Sequence, residues 1–154
     1  MIAILAAAAW AAPEVDVFWP EVHGRGKGRS RAMASLVAAE MATAVREAGG
    51  TPRPADEGVE DCPSTGCVRT RVTAVVIHQE DGCVVLAGVG PVGATASLLA
   101  PWVGRWALGR LDAPFGEAIA TSATVHDFGS CDALPSSLRT GRPALVSLIQ
   151  TFVR

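Results

Sequence analysis

Tyrosine is absent from this chain, and the remaining aromatics, four Phe and four Trp, make up 5% of it. Platforms that read bases or sugars by stacking are therefore hardly available. Charge is scarce as well: Asp, Glu, Lys and Arg together account for 18%, and 13 basic against 15 acidic side chains leave a net charge of −2. No bulk field draws such a chain to nucleic acid or anionic lipid, so nucleic acid is not an expected partner. Chemistry-bearing motifs are missing too. There is no Gly-x-Ser-x-Gly elbow, no His pair at metal-ligand spacing and no Gly-Lys-Ser/Thr phosphate loop. Catalysis, a cofactor and a bound metal are not expected on these grounds.

What is abundant is apolar. Hydrophobic residues reach 49% in 154 residues, which excludes a disordered chain, suits one domain and leaves apolar surface for a partner. Residues 1–12 read Met-Ile-Ala-Ile-Leu-Ala-Ala-Ala-Ala-Trp-Ala-Ala, and Ala9-Trp10-Ala11 fits a small-residue cleavage site. A signal peptide over 1–12 followed by one domain over 13–154 is the expectation, with a periplasmic or secreted location. The basic leader of a signal peptide is missing, which keeps a buried first strand as the alternative. The run is too short to span a bilayer as a helix.

The centre of the chain is a hairpin. Val72-Thr73-Ala74-Val75-Val76-Ile77 and Cys83-Val84-Val85-Leu86-Ala87-Gly88-Val89 are β-branched apolar runs joined by a polar segment ending in Asp81-Gly82. Neither run alternates, so both strands are expected to be covered on both faces. Before them, 15–19 reads as a short strand stopped by Pro20. Met33, Leu36, Val37, Met41, Ala44, Val45 and Ala48 then recur at helical spacing, with Ser30 as N-cap and Gly49-Gly50 as exit, predicting a helix over 30–48. The prolines of Thr51-Pro52-Arg53-Pro54 confine that stretch to a sheet edge at most.

Between the first strand and the helix lies His23-Gly24-Arg25-Gly26-Lys27-Gly28-Arg29-Ser30. The bland reading is a solvated connection; the alternative is an anion or nucleotide site built from His23, Arg25, Lys27 and Ser30 at a helix N-terminus. The cysteines also leave alternatives open. Cys62-Pro63-Ser64-Thr65-Gly66-Cys67 fits a local disulfide, half a metal site or, less well, a redox pair. Cys83 and Cys131 sit beside no His or Cys at ligand spacing. Disulfides Cys62 to Cys67 and Cys83 to Cys131 are the preferred pairing, ahead of free thiols and of metal.

From Cys83 to Gly104 no side chain is charged. Glycines with Pro91 and Pro101 interrupt that run, so no transmembrane span is expected, although peripheral membrane contact stays open. Residues 97–108 read as a helix carrying Trp102, Val103 and Trp106 on one stripe, either core or a surface for partners. Alternation over 117–127 predicts a strand ending in His126-Asp127, whose side chains point to opposite faces and cannot form a relay with each other. The last helix is expected from Pro143 through Leu145, Leu148, Ile149 and Phe152. Together these elements predict an α/β (α+β) fold, a single mixed sheet of about four to five strands with two to three helices packed on it.

The order of elements over 15–89, a strand ending in Phe18-Trp19-Pro20, a loop, an amphipathic helix, Gly49-Gly50, a Cys-bounded loop and the hairpin, resembles the amino-terminal domain of TolB and the core of CsgG-type secretion lipoproteins. The resemblance implies a non-catalytic envelope protein that contacts other envelope proteins or itself. These 154 residues depart from both in holding no propeller after the hairpin and no cysteine directly after the expected leader to carry a lipid.

Overall fold

The computed structural model of the chain describes residues 11–24, 27–55, 69–79, 82–92, 98–108, 123–127 and 129–153. Its elements in chain order are β1 (Glu14–Phe18), β2 (Glu21–Gly24), α1 (Lys27–Glu47), β3 (Thr51–Ala55), β4 (Thr70–Gln79), β5 (Gly82–Pro91), β6 (Leu98–Val103), β7 (Arg105–Leu108), β8 (Ala123–Asp127), β9 (Gly129–Ser130) and α2 (Leu134–Val153). The fold is α+β. A mixed seven-stranded sheet runs β3-β1-β4-β5-β6, with β2 also on β4 and β9 also on β5, and β7 pairs with β8 separately.

The hairpin is β4 and β5, paired antiparallel from Thr70 opposite Pro91 to Gln79 opposite Gly82. Side chains alternate between the two faces of a strand, so Val72, Ala74 and Val76 share one face with Cys83, Val85, Ala87 and Val89. Those seven belong to one core with Val37, Met41, Ala44 and Val45 of α1 and Leu134, Leu138, Leu145 and Ile149 of α2. On the opposite face Val75, Val84 and Leu86 are buried as well. Coverage on both faces is what runs without alternation require.

The sheet has more strands than the sequence predicts because β6 and the short β9 join it and because β2 follows β1 as a separate strand on β4. β1 and β2 both lie parallel to β4, yet between the pairs Val17/Val72 and Glu21/Val75 there are three residues on one side and two on the other. The extra residue makes a bulge at Trp19-Pro20, where proline cannot supply a ladder N–H. β3 is an edge strand parallel to β1, as its two prolines demand.

Helix α1 begins at Lys27, three residues before the expected cap, so Ser30 lies in its first turn. It ends as Gly49-Gly50 predicts. Gly49 adopts φ 92°, its N–H reaches the Arg46 carbonyl, and the Gly50 N–H reaches the Val45 carbonyl, the paired bonds that close a helix through a left-handed residue.

Two expectations fail. Residues 98–108 form strands β6 and β7, not a helix. Spacing of three and four from Val103 and Trp102 to Trp106 mimics a helical stripe, whereas the structure pairs β6 with β5 and inserts one extra residue between Val85/Val103 and Leu86/Pro101. That bulge lets the adjacent Trp102 and Val103 both be buried. The second failure is the start of α2, which lies at Leu134 and carries Pro143 inside it. Leu134 and Leu138 anchor the earlier turns in the core, and this burial outweighs the backbone bond that Pro143 removes.

Trp102 joins the two layers. Its Nε1–H donates to the Leu138 carbonyl of α2 at 2.9 Å. Gly141 makes the approach feasible, since a Cβ there would lie 2.6 Å from the Trp102 carbonyl oxygen and 2.8 Å from its Cδ1. Arg142 ties the helices to each other, with Nη1 2.6 Å from Glu40 and Nε 3.1 Å from Glu47. The hydrogen bond that Arg142 donates to Glu40 foremost, aided by the nearby Glu47, raises the guanidinium pKa above its usual value. Cys83 is bonded to Cys131, clamping β5 to the short 3-10 turn that leads into α2, with the two Cα atoms 4.9 Å apart. Cys62 and Cys67, Arg25, residues 1–10 of the expected signal peptide and residues 117–122 of the expected strand lie outside the described residues. Among the described residues no helix is long and apolar enough to cross a membrane.

Candidate functional site

Among the described residues Trp19 is the large apolar side chain left in water, 54% exposed. Its position follows from the bulge. With β1 ending at Phe18 and Pro20 holding the preceding residue extended, Trp19 stands outside the ladder. It rims a cleft of about 290 Å³ lined by Val17, Phe18, Ala38, Ala42, Pro52 and Pro54. Ala38 and Ala42, one turn apart on α1, are too short to fill the space between the helix and β3, so the trough stays open. A second cleft, about 610 Å³, borders Trp19 on the side of Pro20, Val22, Ser30 and Arg31. Trp19 is thus a wall shared by two depressions along α1.

Beside this region runs a charged seam. Asp16, fully buried on β1, receives the Arg53 Nε from β3 at 2.8 Å and has the Arg69 Nε at 3.4 Å. In register, Asp16 faces Arg53 on one side and Arg71 on the other. Val15 and Val17 point to the core and Asp16 away from it, so a one-residue slip of β1 would drive a carboxylate into the apolar layer. The seam fixes register. Asp16→Ala is expected to lower the unfolding free energy by about 3 kcal/mol, the low end for breaking a buried pair because half-exposed Arg53 can turn to water. Urea titration checks this, and a loss below about 0.5 kcal/mol would reduce the seam to an ordinary surface pair.

The alternative anion site includes Arg25, which lies outside the described residues. His23 lies on β2 with its Nε2 3.2 Å from the Glu21 carboxylate, an unfavourable neighbour for a bound anion. Ser30 lines the second cleft, on the first turn of α1, and Lys27 is the first residue of that helix. Trp102 and Val103 are core residues at 6% and 4% exposure, and Trp106 lies on β7. Trp19 and Asp16 were missed by reading the sequence. Trp-Pro at a strand end carried the signal for the first; a lone Asp within an apolar strand, with Arg53 on the proline edge, carried it for the second.

No family model and no curated protein matches the chain. Among solved structures it is similar to the dodecamer of a PelC variant from Paraburkholderia phytofirmans, at 16% identity, over 93% of this chain and 86% of that one, with a TM-score of 0.39. It is also similar to a neuraminyllactose-binding hemagglutinin homologue from Helicobacter pylori, at 7% identity with the same coverage and the same TM-score. Likeness at this level carries no functional argument.

Proposed function

We propose that this chain is an exported, non-catalytic α+β protein that serves as an accessory or scaffold subunit of a cell-envelope assembly through protein–protein contacts. The observation that carries the reading is Trp19 at the rim of an apolar trough. A rigid exposed indole beside a preformed apolar depression is the arrangement that anchors interfaces, since aromatic anchors seated in pockets supply most of the binding energy. The disulfide between Cys83 and Cys131 supports an oxidising compartment, where such bonds persist.

Cross-linking in a native envelope fraction, followed by pull-down of the full chain, tests this. A partner, or a second copy, is expected with the native sequence. Trp19→Ala combined with Ala42→Glu should weaken its capture by about 30-fold or more, as for a hot-spot residue, while thermal stability stays near that of the native chain because both sites face solvent or the open trough. Recovery of free monomer alone after cross-linking, or equal capture by the double variant, would remove the basis of this reading.

A further inference from the structure

His78 on β4 stands opposite Cys83 on β5 in the antiparallel register, on the face that receives the helices. Linear spacing hides this neighbour; strand pairing supplies it. Cys131 reaches the same place from the turn before α2. One ligand atom from each of the three, an imidazole nitrogen and two sulfurs, lie within 4.8 Å of one another. His78 is only 8% exposed, and its Nε2 is buried without a hydrogen-bond partner. An imidazole nitrogen left idle in this way costs about 1–3 kcal/mol, which calls for a ligand or a function.

We propose that His78, Cys83 and Cys131 form a three-ligand site for a zinc-type d10 cation, open to metal only after a dithiol has reduced the Cys83–Cys131 disulfide. A thiolate of the dithiol attacks the sulfur of Cys131, the more accessible of the two; the bond to Cys83 breaks and Cys83 leaves as thiolate. The second thiol then attacks the mixed disulfide and releases Cys131, so the reductant departs as a disulfide and two electrons and two protons pass to the pair. Binding of the dication displaces those two protons to solvent. The sulfurs need only separate by roughly 2 Å to reach the spacing of tetrahedral ligands. Two thiolates and a neutral imidazole around a dication sum to no net charge, which suits a buried site. Three protein ligands leave one position open, as in sites that bind an exogenous molecule. The proposal does not depend on the envelope reading.

The test uses the full chain with Cys62→Ser and Cys67→Ser, so that no other thiolates compete. After anaerobic reduction with a phosphine and desalting, cobalt(II) is added in titration, with far-UV circular dichroism followed in parallel. One equivalent should give a thiolate-to-cobalt charge-transfer band and tetrahedral d–d bands, both bleached by zinc; the oxidised chain should give neither. His78→Ala should weaken zinc binding at least about tenfold and abolish the tetrahedral bands. If reduction unfolds the chain, zinc should restore the folded signal in the His78 chain but not in His78→Ala. Absence of bands in a folded reduced chain, failure of zinc to restore an unfolded one, or an unchanged titration in His78→Ala each overturns the proposal.

Discussion

Replacing Cys83 and Cys131 together by Ser is expected to lower the unfolding free energy by about 4 kcal/mol, the chain-entropy value for a bridge spanning 48 residues. A domain of this size has about 5–15 kcal/mol in total, so the loss removes a large share. The bridge joins β5, in the middle of the sheet, to the turn that launches α2, and its loop contains β6, β7, β8 and β9. Cutting it frees the unfolded chain along that whole loop while leaving the native contacts in place. Urea unfolding should show a lower midpoint and a steeper slope, since an unbridged denatured chain exposes more surface. An unchanged midpoint in the double variant would mean that the bridge constrains nothing that the fold does not already hold.

Trp102→Ala should cost about 3–5 kcal/mol, the range for truncating a large buried aromatic. Two effects add here. The indole leaves a void between β6 and α2, and the Leu138 carbonyl loses its 2.9 Å donor. Repacking into that void is hindered, because the position facing it on the helix is Gly141, which has no side chain to move. Trp102→Phe separates the two effects: most of the apolar volume remains, the donor goes, and a loss of about 1 kcal/mol is expected. Thermal or urea unfolding of the pair settles it, and equal losses in both variants would assign the whole effect to the hydrogen bond.

The contrast between what the sequence discloses and what it hides follows from where the signals reside. The hairpin, the exit of α1 and the edge position of β3 rest on local chemistry: β-branched runs, a Gly pair and two prolines. Each is legible residue by residue. The elements misread are those whose burial pattern is set by distant partners. The β6 bulge lets neighbouring Trp102 and Val103 turn inward together, so the pattern of 98–108 matches a helix better than an alternating strand. Pro143 looks like a beginning, yet the core contacts of Leu134 and Leu138 carry the helix through it. The Trp19 trough and the His78 cluster are also products of pairing. Trp19 stands out because β1 and β2 fall out of step on β4, and His78 meets Cys83 because Gln79 and Gly82 close the hairpin.

The prolines of β3 also bear on how copies of this sheet can join. Thr51 directs its N–H inward, to the Pro13 carbonyl at 2.9 Å, so the alternating outward positions fall on Pro52 and Pro54, neither of which has an N–H. That margin offers acceptors without donors, and a strand laid against it finds no reciprocal ladder. Among the described residues the opposite margin is β6. Two molecules can meet through β6 of each, whereas β3 offers such a joint no reciprocal ladder. Head-to-tail stacking into a fibre is stoppered at β3 by two residues.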